Sequence, residues 1–174
     1  MHKMAALCFA LSMCWIAVHP NAIAQTKAPL QVQFIQTAGS VSFKDGVLSL
    51  DNVAPMTAFF SDRPERLTGA IRNDQFAKLW TEGSHSFRKD PPNAVLSVFS
   101  PQGRPTQAVL VLNNPRVDGR TISYDVRTLK GDVPALGAES TLFIDSGDAP
   151  CYADDDPSYS NYPCWAQNAF SSGR

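Results

Sequence analysis

Along much of the chain, apolar and polar residues alternate with a period of two, the spacing that turns one face of a β-strand inward and the other to water. Leu30, Val32 and Phe34 alternate with Gln31 and Gln33, and Val41 and Phe43 alternate with Ser40, Ser42 and Lys44. Asp45-Gly46 follows, then Val47 to Leu50. An Asp-Gly between two such runs predicts a hairpin, because the tight turn requires positive φ. Met56–Phe60, Ala94–Phe99, Thr106–Leu112 and Thr141–Asp145 are further apolar runs, and Ile122, Tyr124 and Val126 share one face of another. Ser100–Pro105 and Asn113–Gly119 have the composition of turns. Seven or eight short strands separated by turns predict an all-β fold, an antiparallel two-layer β-sandwich; a closed barrel is the alternative.

One helix interrupts the pattern. Asn73 to Trp80 places Phe76, Leu79 and Trp80 at i, i+3 and i+4, a single apolar stripe suited to a core. Asn73 is positioned to cap it, Asp74 suits its first turn, and Gly83 is positioned to end it. Just upstream, FFSDRPERLTG crowds Asp62, Arg63, Pro64, Glu65 and Arg66 together. Proline cannot donate to a sheet ladder, so the strand from Met56 must end here. Acid–base catalysis would need one carboxyl with a raised pKa, and two arginines push the other way. The cluster is read as a structural corner.

Composition sets the compartment. Residues 1–24 combine a basic start, an uncharged run from Ala5 to Val18, and Ala22-Ile23-Ala24 before Gln25. That is the pattern of a cleaved signal peptide, and the run is short for a membrane span. The expected product is secreted or periplasmic, a domain over residues 25–145 followed by an extension over 146–174. Of the 3 histidines and 4 cysteines in the whole chain, the product would keep His85, Cys151 and Cys164. Residues 25–130 carry 13 basic and 9 acidic side chains, whereas 131–174 carry seven acids against Arg174. No dense basic stripe appears, which argues against nucleic-acid binding.

Several of these pieces also occur in combination: SDRPER, Leu79-Trp80, Lys89-Asp-Pro-Pro-Asn-Ala94, Asn114-Pro-Arg116, Ile122-Ser-Tyr-Asp-Val126 and Thr141-Leu-Phe-Ile-Asp145. The combination, covering Leu30 to Asp145, resembles a family of small exported bacterial proteins with no assigned activity. The resemblance implies a secreted β-rich domain and brings no cofactor or catalytic residue.

Chemistry is constrained by scarcity. One imidazole and two thiols that oxidise outside the cell do not make a zinc or copper site within a monomer. His85 stands in Gly-Ser-His-Ser, without the Gly-x-Ser-x-Gly elbow of a serine hydrolase. In the extension, Cys151 and Cys164 are expected to form a disulfide, which closes a loop of about 14 residues and contributes roughly 3 kcal/mol. Asp154 and Asp156, with Ser158, have the odd spacing of calcium ligands, although Tyr159 and Trp165 stand where an EF-hand has glycine and glutamate. Tyr159, Tyr162 and Trp165 also suit sugar recognition; alternatively, the acidic segment packs its aromatics on the domain. The reading that follows is a non-enzymatic binding or structural module for an envelope component, carbohydrate or calcium. A small extracytoplasmic hydrolase is the alternative.

Overall fold

A computed structural model describes residues 31–61, 66–81, 86–100 and 104–148. The expected signal peptide, the corner residues Asp62, Arg63, Pro64 and Glu65, His85, and all of the extension beyond Asp148 lie outside the described residues. That last group includes Cys151, Asp154, Asp156, Tyr159, Tyr162, Cys164 and Trp165.

The strands are β1 (Gln31–Ala38), β2 (Ser40–Lys44), β3 (Val47–Asp51), β4 (Met56–Ser61) and β5 (Thr68–Arg72). After the helix α1 (Asn73–Lys78) come β6 (Asn93–Val98), β7 (Thr106–Asp118), β8 (Thr121–Gly131), β9 (Leu136–Gly137) and β10 (Ser140–Asp148). All ladders are antiparallel, in the order β5-β4-β1-β10-β6-β7-β8-β3-β2-β9. The expected hairpin forms at Asp45-Gly46, where φ is +51° and +79°, the signs a two-residue primed turn needs.

A single sheet makes both layers because it folds over. In the strand order β8 lies four ladders from β1, which in a flat sheet would be about 19 Å. The Tyr124 hydroxyl of β8 nonetheless donates to Gln36 Oε1 of β1 at 2.8 Å. The fold-over pivots on Gly39. This residue joins β1, flanked by β4 and β10, to β2, flanked by β3 and β9, so one bent segment serves both layers. Between the layers lies an aromatic cluster. Phe34 meets Phe76 edge-on at 5.1 Å, and Trp80 meets Phe87 at 4.8 Å and Tyr124 at 6.0 Å. Such edge contacts add to the area buried, which for each of these rings is the larger contribution. All five rings are nearly inaccessible to solvent.

The all-β, two-layer antiparallel expectation holds, with ten strands among the described residues rather than seven or eight. The strands not expected are β5, beyond the charged cluster, and the two-residue β9. Two local expectations fail. Asn113–Gly119 is not a turn: β7 runs on to Asp118 through a register shift between Asn113 and Arg116. Asn114 takes φ +46° there, and an ion pair from Arg116 to Asp125 at 2.7 Å bridges the irregularity. A bulge absorbs the Asn-Pro punctuation without ending the strand. Asn73 does not cap α1 either; Arg72 occupies that position, and its N–H donates to Gln75 Oε1. The Asn73 side chain turns inward instead, and α1 ends at Lys78, short of Trp80.

The connection from β4 to β5 spans the SDRPER cluster. Ser61 and Leu67 close it with two bonds: Ser61 N–H to the Leu67 carbonyl and Leu67 N–H to Ser61 Oγ, both 2.9 Å. Arg66 enters β5 with φ +50°. Two pairs further on from Ser61 and Leu67, the Phe59 ring lies so close over Gly69 that a Cβ there would stand 2.6 Å from it. Glycine leaves the room that the ring fills.

Candidate functional site

Two features stand out from the packing: a buried polar chain through the core and an open cleft where the sheet bends. The chain begins at Tyr124 and runs in one direction. Tyr124 Oη donates to Gln36 Oε1 (2.8 Å), Gln36 Nε2 to Thr57 Oγ1 (3.0 Å), and Thr57 Oγ1 to Asn73 Oδ1 (2.8 Å). Asn73 Nδ2 then donates to the Ala54 carbonyl at 2.8 Å. All four side chains are buried, and each polar group left without its partner would cost about 1–3 kcal/mol. The chain ties β8 to β1, β4 and α1.

Burial pushes the Tyr124 phenol well above its usual range, and the bond with Gln36 pulls the other way. The raised value fixes a sign. The group's stabilising contribution is complete below the ordinary phenol range, about pH 10, and is lost as pH climbs through the higher folded value. Tyr124 is therefore expected to ionise only as the fold opens. Phenolate absorbance should show a late alkaline step that coincides with loss of near-ultraviolet dichroism and is missing in Tyr124→Phe. Ionisation of Tyr124 near pH 10 in folded protein would contradict this.

The cleft, about 600 Å³ in volume, opens at the Gly39 bend. It is lined by Thr37 to Gly39, Asn52, Ala54 and Arg120, together with Ser97, Phe99, Pro105 and residues 139–141. These walls are pinned by backbone. Gly39 N–H donates to the Asp51 carbonyl (2.9 Å), Ala54 N–H to Thr37 (3.0 Å), and Phe99 N–H to Glu139 (2.8 Å). Val53 and Arg120 lock to each other: Val53 N–H bonds the Arg120 carbonyl at 2.8 Å, and Arg120 Nε donates back to the Val53 carbonyl at 3.2 Å. Asn52 has φ +53° and covers Gly39, where a Cβ would lie 3.0 Å from its side-chain nitrogen.

Register supplies the chemistry of the cleft. Thr37 of β1 is directly opposite Thr141 of β10, which is opposite Ser97 of β6. Three hydroxyl side chains therefore stand in a row across neighbouring strands at about 4.8 Å intervals. Phe99 continues the Ser97 face and is 57% exposed, the most open phenylalanine among the described residues. Ser140, by contrast, is 6% exposed, and its hydroxyl has no hydrogen-bond partner among the described residues. Arg120 and Glu139 place one charge of each sign on the rim.

None of the residues expected to bind a ligand lies in this cleft's described lining. Of the expected site residues only Arg66 is described, and it lies between β4 and β5 with φ +50°. Among the described residues no group of three or more His, Cys, Asp or Glu could hold a metal, and no helix is long and apolar enough to cross a membrane. Sequence reading missed the cleft residues: Ala94–Phe99 is apolar on both beats, and Ser97 is the single polar residue that could have marked its wetter side. Convergence of Thr37, Thr141 and Ser97 was not visible, since it depends on pairing between distant strands. No family model, no curated protein and no solved structure matches this chain.

Proposed function

We propose that this protein is a non-enzymatic binding module of the secreted or periplasmic space that takes a carbohydrate in the Gly39 cleft. The observation that carries the reading is the hydroxyl row Thr37–Thr141–Ser97 beside the exposed Phe99 ring. A sugar presents hydroxyls around its edge and apolar C–H faces, so a row of short donor–acceptor groups next to an open aromatic face complements both. The strand spacing is comparable to the width of one sugar ring. The pinned walls favour the reading further, because a preformed site spends little free energy on ordering itself. Binding is favoured over hydrolysis because Glu139 is the one carboxylate among the described lining residues. Two-carboxylate glycoside cleavage requires a pair roughly 5–9.5 Å apart. Export rests on the signal peptide and the cysteine pair; a calcium ion at Asp154 and Asp156 is a separate proposal, tested by whether chelator lowers the thermal midpoint.

Titration calorimetry of the full-length product against a panel of soluble oligosaccharides tests the assignment. At least one saccharide should bind, and Phe99→Ala should weaken it roughly tenfold, the loss of about 1.4 kcal/mol of ring contact. No binding across the panel, or binding indifferent to Phe99→Ala and Ser97→Ala, would remove the cleft from consideration. Release of reducing sugar that stops in Glu139→Gln would favour the hydrolase.

A further inference from the structure

The outward face of the sheet carries an apolar row that the cleft does not use. Cross-strand pairing sets Ala70, Ala58, Ile35, Phe143, Val95 and Val109 directly opposite one another across β5, β4, β1, β10, β6 and β7. Phe143 is 47% exposed and Val95 36%, with Met56 and Phe60 open on the same face. A groove of about 230 Å³ lies along the row, lined by Gln33, Asn93, Val95, Val109, Phe143 and Asp145 among others. Lys130 ends the row on β8, and Arg127 ends the neighbouring one. Contiguous open apolar surface of this kind, rimmed by polar groups, marks a contact site.

We propose that the chain's own C-terminal segment, residues 149–174, docks on this row. Three observations select it. β10 carries Phe143 and leads straight into the segment, leaving the sheet at Asp148 opposite Gln31. Its 26 residues could extend over about 85 Å, ample to turn back across a sheet of this width. Its chemistry is complementary to the face: Tyr152, Tyr159, Tyr162, Trp165 and Phe170 for the apolar row, and Asp154, Asp155 and Asp156 for Arg127 and Lys130. The size of the row also argues against a second copy. Its bulky part, Ile35 to Val109, crosses only three strand spacings, about 14 Å, and one side-chain row is about 7 Å wide. The strip therefore covers on the order of 100 Å², against the roughly 800 Å² per partner of a standard interface. A tethered segment needs less area, because its effective concentration is in the millimolar range. The proposal goes beyond the carbohydrate reading and does not rest on it.

Hydrogen exchange on the full-length product, without any saccharide, tests it. Amides within 149–174 should exchange at least tenfold faster in Phe143→Asp than in the parent, while amides of β6 and β7 keep their protection. Arg127→Glu/Lys130→Glu, which leaves the apolar row intact, should accelerate the same amides several-fold and guards against a Phe143 variant that fails to fold. Equal exchange of the segment in parent and both variants overturns the proposal. So does a sedimentation shift from dimer to monomer on Phe143→Asp, which would make the occupant a second copy.

Discussion

Gln36→Leu is expected to lower the free energy of unfolding by about 2–5 kcal/mol, read as a fall in the urea midpoint with little change in slope. The residue is 1% exposed and stands at the centre of the buried polar chain, accepting from Tyr124 and donating to Thr57. Leucine fills similar space but strands both neighbours: the Tyr124 hydroxyl loses its acceptor and Thr57 its donor, in a site closed to water. Removing one partner is worse than removing all, because the orphaned groups keep their desolvation cost. The triple change Gln36→Leu/Tyr124→Phe/Thr57→Val should therefore recover part of the loss. A single variant within about 1 kcal/mol of the parent would mean the chain contributes little to holding the layers together.

Gly131→Ala is the second large effect, with an expected loss of at least about 2 kcal/mol. Gly131 has φ +77°, and a Cβ there would stand 2.3 Å from the Gln107 carbonyl oxygen and 3.1 Å from Ala108 Cα. Neither atom can move aside, since both belong to the backbone of β7, and Gly131 is paired with Ala108 beside the register shift at Val109 and Leu110. Gly46 provides the comparison. It has nearly the same φ, +79°, but nothing lies within 4 Å of its would-be Cβ. Gly46→Ala should cost only the strained backbone angle, roughly 1 kcal/mol. If thermal or urea denaturation finds the two substitutions equally costly, close approach is not what Gly131 serves.

Strand positions were legible wherever one face is wet and the other dry. Val32 and Phe34, Ile122 and Tyr124, and Leu142 and Ile144 all follow the alternation, and so does the Asp45-Gly46 turn. The misreadings share a cause, which is that local punctuation was outvoted by contacts from elsewhere. Asn113-Asn114-Pro115 looks like a turn, yet β8 supplies a ladder on either side of the irregularity and the strand continues. Asn73 looks like a cap, yet Thr57 and Ala54 lie within hydrogen-bonding distance and draw it inward. Gln36 had a signal of its own, a polar residue on the apolar beat Val32, Phe34, Ala38 of its strand, whereas Thr57 had none, since its beat with Phe59 and Ser61 is the less apolar of the two in β4. The partner of Gln36 had none either, because a tyrosine 88 positions away meets it only after the sheet has folded over. The cleft was illegible for the same reason: it is built from strand ends that are neighbours in the sheet and distant in the chain.

The pairing of β1 with β10 bears on how the chain is made. Among the described strands the first to be made is paired with the last, since Gln33 finds Asp145 only after all the strands between them have been made. Until then β1 has an unpaired edge, and so does β6, the other neighbour of β10. Open edges of this length pair readily with other chains. A product ending before Ser140 therefore lacks the strand that joins the β5-β4-β1 block to the rest of the sheet, and its fate is clumping rather than partial folding.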